Sequence, residues 1–229
     1  PRTLLLLLLC MAYTAISAQL SMPRASSTYW RDSVPQAMRQ SYIAYGAQYA
    51  GHPWPTIPDS VFGEFKHTGN RTHYERLCFQ KRTRLAALAL AEIIEGKGRL
   101  IPDLKCGLEN LFSELWWGIP AHYGHDRPLS TDQNVDLFNA ETAGLAAWIN
   151  YMLGEALGSD LRQTIDKEVR RRLLIPALKT DYWWKHSHMN WTPWICSNWL
   201  TAVLISENDG ARKAEALRQI TAALQYFAD

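Results

Sequence analysis

The sequence has no excess of either charge and no stripe of basic residues. Its 24 lysines and arginines nearly balance 22 acidic residues, for a formal net charge of +2. Nucleic-acid binders gather positive charge on one face, so this class is not expected. The one basic run, residues 170–172, points in different directions around a helix, and we interpret it as a solvated face. An acidic partner must therefore be recognised locally.

The only long apolar run lies at the N-terminus. Arg2 is followed by leucines at positions 4–9 and then by small residues up to Ser17 and Ala18. The run is shorter than the roughly 20 apolar residues that a membrane span needs, and its layout is typical of a secretory signal peptide. We predict a signal peptide over residues 1–18, a secreted or periplasmic location and no membrane span.

Cysteines are few and lack the spacing of a metal or redox motif. Cys10 belongs to the predicted leader, which leaves Cys78, Cys106 and Cys196 with no C-x-x-C pair. A structural zinc site is therefore not predicted. An oxidising compartment would permit one disulfide and one free thiol, but three buried free cysteines are the preferred interpretation.

Strand-like alternation is also missing, whereas apolar residues recur at helical spacing. The clearest helix runs from Tyr74 to Glu95 and stops at Gly96. Another should end before Pro176, because proline lacks the amide donor. Further helices are predicted around residues 38–49, 108–115, 145–152, 194–206 and 217–227.

These helices predict an all-α fold of antiparallel pairs, which can stack into a bundle, a solenoid or a closed α/α toroid. Residues 19–60 are predicted to form an N-terminal helix and a proline-rich linker, since three prolines between Gly51 and Pro58 exclude a helix there. Residues 61–229 are predicted to form one helical domain.

Aromatic residues are abundant, with ten tryptophans and ten tyrosines. An indole face suits the C–H faces of sugar rings, and its N–H can donate to a hydroxyl. Core packing explains any single tryptophan better, but the cluster as a whole favours a carbohydrate-binding cleft. The tryptophans at predicted loops or helix ends are Trp54, Trp116, Trp117, Trp183, Trp184, Trp191 and Trp194.

Several polar residues accompany these tryptophans. His186 and His188 lack a third ligand and metal-site spacing, so no metal is predicted. His122 lies in a loop, where a lone histidine is usually just solvated. Asp136 and Glu141 lie near a helix start, where the helix dipole favours carboxylates. Capping explains Asp136 at least as well as catalysis does.

Three segments resemble heparinase II/III-type polysaccharide lyases: WWGIPAH at 116–122, DLFNAET at 136–142 and NWTPWICSN at 190–198. The likeness covers roughly residues 75–229, including the order and spacing of the segments. Members of that family have an N-terminal α/α toroid followed by a β-sandwich, and they cleave uronic-acid polysaccharides by β-elimination between the two. The resemblance implies an incomplete α/α toroid and an acidic polysaccharide or oligosaccharide partner.

The resemblance also implies site roles. Elimination needs the uronate carboxylate neutralised, its C5 proton removed and an acid for the departing O4. The amide of Asn190 is the implied neutraliser, with His188 beside it in the catalytic pair, and no cofactor is needed. Asn190 as a turn or helix-cap residue before Pro193 stays open. The implied substrate-binding residues are Trp116, Trp117, His122, Glu141, Trp191 and Trp194.

The family's catalytic tyrosine and its C-terminal β-sandwich have no match in residues up to Asp229. The chain is therefore expected to be a fragment with little or no lyase activity by itself. Two alternatives remain. A toroidal glycoside hydrolase would use two carboxylates among Glu114, Asp136 and Glu141. A non-catalytic glycan-binding domain would need only the aromatic cleft.

Overall fold

The computed structural model of the chain describes residues 22–123 and 134–229. Within these two ranges the regular structure is helical and contains no β-strand, which confirms the all-α prediction. The predicted signal peptide lies outside the described residues. The helices are α1 (Tyr29–Asp32), α2 (Gln36–Ala47), α3 (Asp59–Thr68), α4 (Thr72–Glu95), α5 (Ile101–Phe112), α6 (Leu137–Leu157), α7 (Ser159–Val169), α8 (Ile175–Lys179), α9 (Trp191–Ser206) and α10 (Gly210–Ala228).

Local chemistry sets several helix ends. Helix α4 ends at Gly96, whose φ of 66° lies in the left-handed region that glycine adopts without steric cost. The carboxylate of Asp136 caps α6 by accepting from the backbone N–H of Asn139 at 2.7 Å. Asp209 caps α10 through the N–H of Arg212 in the same way. Helix α3 was not predicted from the sequence.

The prediction that a helix ends before Pro176 is wrong. A π-helical turn, Arg170–Leu174, joins α7 to α8, and the helix continues through the proline to Lys179. Pro176 has no N–H for the carbonyl of Arg172 one turn earlier. The side-chain amide of Asn139 on α6 donates to that carbonyl at 3.1 Å. The neighbouring helix thus satisfies the oxygen that proline leaves unbonded.

The hydrophobic core includes the contact between α6 and α9, and α2 packs on the outside of α4. Gly46 on α2 faces Ala87 and Ala91 of α4 so closely that an added Cβ would overlap both. Gly144 on α6 faces the side chain of Asn198 on α9 in a similar way. Glycine at these two crossings, which has no side chain, therefore allows the paired helices to approach closely.

The proline-rich stretch packs against the helices and is more than a linker. The guanidinium of Arg84 on α4 lies 4.0 Å from the ring centroid of Trp54. The same indole covers Gly107 of α5, where a Cβ would overlap it. Residues 22–60 are therefore built onto the helices of the predicted domain, with α2 on α4 and Trp54 on α5.

The interpretation of residues 170–172 as a solvated face is wrong for Arg172, which is buried. Its Nε donates to Glu168 at 2.8 Å and its Nη1 to the carbonyl of Leu115 at 3.0 Å. Its guanidinium lies 4.3 Å from the ring centroid of Trp117. Arg172 therefore points inward and holds the chain just after α5.

The cysteine prediction is confirmed in part. In the described ranges Cys78, Cys106 and Cys196 are all free thiols. Cys78 and Cys196 are buried, and burial raises the pKa of Cys78 to about 12 and that of Cys196 to about 11. Cys106, in contrast, is exposed on α5, so the expectation that all three are buried is wrong.

Candidate functional site

A groove of about 590 Å³ lies between helices α2, α4, α6 and α9. Aromatic rings form much of its wall, and the polar groups that face it come mainly from α4 and α6. A helix around residues 38–49 was expected from the sequence, but its place beside α4 and α6 was not. The principal lining residues are Tyr42, Tyr45, Phe79, Arg82, Thr83, Glu141, Thr142, Leu145, Trp148 and Asn198.

A buried ionic cluster supports the groove from below. Glu114 pairs with the ammonium of Lys81 and accepts from Nη2 of Arg82 at 2.6 Å. Burial by itself would raise the pKa of Glu114, but Arg82 and Lys81 outweigh that effect and hold the pKa below its usual value. Arg82 also donates to Thr142 and to the carbonyl of Cys78. Its guanidinium is thereby committed to the protein interior.

Asp136 and His122 form an oriented pair beside the groove. The fully buried carboxylate of Asp136 accepts from the N–H of Ile119 at 3.0 Å and lies 2.8 Å from Nδ1 of His122. Because this carboxylate accepts from backbone amides on both oxygens, we assign the imidazole proton to Nδ1. Nε2 of His122 is then the acceptor nitrogen of the neutral ring.

Aromatic rings continue from the groove across the protein surface. The ring of Phe138 lies 5.0 Å from Phe79 at the groove and 5.9 Å from Trp194. Trp191 lies 4.7 Å from His122 and 4.9 Å from Trp183. We call these contiguous rings the aromatic band, and its members are Phe79, His122, Phe138, Trp183, Trp191 and Trp194.

Three members of the aromatic band are well exposed, and one of them is fixed by a carboxylate. Trp183 is 52% exposed, Phe79 is 38% exposed and Trp194 is 37% exposed. The indole N–H of Trp194 donates to Glu141 at 3.0 Å, which sets the tilt of its ring. Of the predicted substrate-binding residues, the structure therefore brings His122, Glu141, Trp191 and Trp194 together.

Trp116 and Trp117 do not share that surface, because both side chains are buried. The indole N–H of Trp116 donates to the carbonyl of Asn134 at 2.9 Å. That of Trp117 donates to the carbonyl of Leu111 at 3.0 Å. Their rings thus lie under the turn that carries His122, behind the surface that His122, Glu141, Trp191 and Trp194 share.

Asn190 and His188, the predicted catalytic pair, lie in the turn before α9. The Asn190 side chain is exposed and makes no capping hydrogen bond to the helix, so capping does not explain it. His188 stacks on Tyr226 of α10, with ring centroids 5.0 Å apart. The histidine that lies among the rings of the aromatic band is His122, which the sequence marked only as a substrate-binding residue.

The described residues contain no group of three or more histidine, cysteine, aspartate or glutamate side chains placed to hold a metal ion. His186 instead bonds to the exposed carboxylate of Asp181 at 2.8 Å. No helix within 22–123 or 134–229 is long and apolar enough to cross a membrane.

Comparison of the chain with protein-family models finds no match, and comparison with curated proteins finds none either. Function is therefore inferred from the site geometry and from the three-segment resemblance.

Proposed function

We propose that this chain is the helical, glycan-holding part of an exported polysaccharide lyase of the heparinase II/III type, with its helices forming an incomplete α/α toroid. The observation that carries the proposal is the aromatic band, which leads from the groove past His122 and Trp194 to the turn of Asn190. All three segments of the resemblance contribute residues to it or to its support.

The shape and chemistry of the surface support a carbohydrate ligand. Tyr42 and Tyr45 stand on one side of the groove, and Phe79 and Trp148 provide further rings. Sugar rings pack their C–H faces on such side chains while hydroxyls find polar partners at the edges. Glu141 supplies a carboxylate at the junction of groove and band.

The elimination chemistry can be assigned to residues of this surface. In a uronate, the C5–H bond breaks, a C4–C5 double bond forms and the C4–O4 bond breaks, with O4 leaving as an alcohol once protonated. The exposed amide of Asn190 would donate to the sugar carboxylate and so favour loss of the C5 proton. Nε2 of His122, which Asp136 orients, would accept the C5 proton, and the resulting imidazolium would return that proton to O4 as the C4–O4 bond breaks.

The hydrolase alternative has less support, because it needs two available carboxylates. Glu114 is buried between Lys81 and Arg82. Asp136 is buried and bonded to backbone amides and His122. Only Glu141 of the three candidate acids is exposed. A non-catalytic glycan-binding role would use the same aromatic band.

The test compares the affinity of the chain for an acidic uronate oligosaccharide and for a neutral one of equal length, by calorimetry. We expect the wild type to prefer the acidic ligand. Asn190→Ala should lose at least about tenfold in affinity for the acidic ligand alone, since a hydrogen bond to a charged group contributes about 1.5–3 kcal/mol. Asn208→Ala, an exposed amide after α9, is the matched control.

Equal affinity for both ligands, unchanged in Asn190→Ala, would contradict the uronate proposal. Lyase and hydrolase are separated by the product, because elimination leaves an unsaturated uronate that absorbs in the near ultraviolet and hydrolysis does not.

A further inference from the structure

A second cavity, of about 470 Å³, lies between the end of α8, the turn Trp183–His186 and α10. We call it the basic pocket, because three cationic side chains line it while Asp181 is its one carboxylate. Its apolar part comes from alanines of α10 and from the ring of Tyr226. Its polar lining residues are Lys179, Thr180, Asp181, Lys185, His186, Arg218 and Gln219.

Lys185 is the unusual member of this set, since it is only 7% exposed. Its ammonium donates to the carbonyl of Thr180 at 2.7 Å and to Oε1 of Gln219 at 2.8 Å. Both acceptors are neutral, and no carboxylate oxygen in the described ranges lies within 4.0 Å of the ammonium. An ammonium carries three N–H donors. One donor is therefore left over at a buried charge that has no direct counter-ion.

Such a charge is costly to bury. Desolvation lowers the pKa of Lys185, and the more distant charges of Asp181 and Glu215 offset this effect only in part. The rings of Trp184 and Trp199 lie 5.8 and 5.4 Å from its nitrogen and recover part of the lost hydration. An anion in the pocket would supply the missing charge.

The other charged groups leave the pocket positive. Arg218 pairs with Glu215 on the same helix face, and both are exposed. Asp181 is bonded to His186 and is largely open to solvent. Lys179 is exposed at the end of α8. Lys179 and Arg218 thus add two further cations to the lining around Lys185.

We propose that the basic pocket is a binding site for a small oxyanion group, a carboxylate or a sulfate, with Lys185 as its deepest donor. Lys179 and Arg218 contribute charge at the mouth. A charged oxygen acceptor suits the site because the free donor is an ammonium N–H and because both deeper partners of Lys185 are already neutral oxygens. The site does not depend on the chain being a lyase.

The test is titration of the protein with sodium sulfate, sodium acetate and sodium glucuronate, followed by backbone amide shifts in two-dimensional NMR, against sodium chloride at equal ionic strength. We expect saturable shifts in residues 178–186 and 218–226 with the oxyanions, and none of comparable size with chloride. Tighter binding of glucuronate than of acetate would assign the site to an acidic sugar. Equal binding of the two would assign it to free small anions.

Three variants complete the test. Lys185→Met should abolish saturable binding, while Lys179→Gln and Arg218→Gln should each weaken it about threefold, as expected for exposed charges. These two exposed positions keep the test valid if Lys185→Met does not fold. Lys167→Gln, an exposed lysine on α7, is the control and should bind like wild type.

Shifts that rise linearly without saturation, shifts of equal size with chloride, or unchanged affinity in both Lys179→Gln and Arg218→Gln would overturn the proposal.

Discussion

The groove and the basic pocket differ in how their buried cations are neutralised. Under the groove, Lys81 and Arg82 are both bonded to the buried carboxylate of Glu114. In the basic pocket, Lys185 has only neutral oxygens as partners. Because Glu114 neutralises the cations under the groove, the groove wall carries aromatic rings and little net charge. Because Lys185 has no direct counter-ion, the basic pocket stays positive. The first surface suits sugar rings and the second suits an anionic group.

The aromatic band links the two regions. Trp194 bonds to Glu141 at the groove, and Trp191 contacts Trp183, which belongs to the turn that also carries Lys185. The two proposals together place the rings of an acidic glycan along the band and one of its anionic groups in the pocket. The difference between the groove and the basic pocket can be tested by substitutions in either region.

Removing the internal counter-ion of the groove should have the largest effect. Glu114→Gln leaves Lys81 and Arg82 buried without a carboxylate, and breaking such a pair costs about 3–5 kcal/mol in unfolding free energy. Glu215→Gln removes the carboxylate of an exposed pair near the basic pocket and should cost at most about 1 kcal/mol. Urea denaturation measures the free energy of unfolding of both variants. Equal losses in the two would contradict the proposed difference between the groove and the basic pocket.

The carboxylate of Glu114 should also make the free energy of unfolding depend on pH. The pKa of Glu114 is lowered in the folded protein. Its contribution to the free energy of unfolding is therefore complete above the pKa of a glutamate in the unfolded chain, about 4.3, and is lost as the pH falls through the lower pKa of the folded state. The difference in unfolding free energy between wild type and Glu114→Gln should therefore stay constant from pH 7 to 5 and shrink at lower pH. A difference that grows as pH falls would show that Glu114 is not stabilised as a carboxylate.

Displacing α2 should damage the groove and spare the basic pocket. Gly46→Ala places a methyl group against Ala87 and Ala91 of α4 and should cost about 1–3 kcal/mol by overpacking. Ser41→Ala, at an exposed position of the same helix, should change stability by less than about 0.5 kcal/mol. Glycan affinity should fall in Gly46→Ala while sulfate binding is kept. Loss of both together would mean that the two regions are not separable.

Single aromatic substitutions should have the smallest effect. Trp194→Ala and Tyr45→Ala should each weaken oligosaccharide binding by about 0.5–1.5 kcal/mol, up to roughly tenfold, through loss of ring packing. Tyr29→Ala removes an equally exposed ring on α1, away from the groove lining, and should leave affinity unchanged. Fluorescence titration measures all three, and an equal effect of Tyr29→Ala would indicate non-specific stacking.

Much of the helical fold could be predicted from the sequence because its signals are local. The apolar spacing of α4 and its stop at Gly96 need no knowledge of other helices. The continuation through Pro176 could not be predicted, because it depends on an amide from Asn139 on α6. The inward placement of Arg172 depends in the same way on the carbonyl of Leu115 and the ring of Trp117, which lie far from it in sequence. Both cases are tertiary contacts that override a local rule.

In the candidate site, too, some features could be predicted from the local sequence and others could not. Trp191 and Trp194 lie where the aromatic pattern suggested, on an accessible helix start. Trp116 and Trp117 carry the same side chain but are buried, and no local signal separates the two pairs. The lone Lys185 gave no signal in the sequence, because only the fold shows that its partners are neutral.

A structure of the chain with a bound uronate oligosaccharide would show whether an acidic glycan lies along the aromatic band. We expect sugar rings on Trp191 and Trp194, a uronate carboxylate within hydrogen-bond distance of the Asn190 amide, and a second anionic group at Lys185. An oligosaccharide bound elsewhere, with the aromatic band unoccupied, would contradict this expectation.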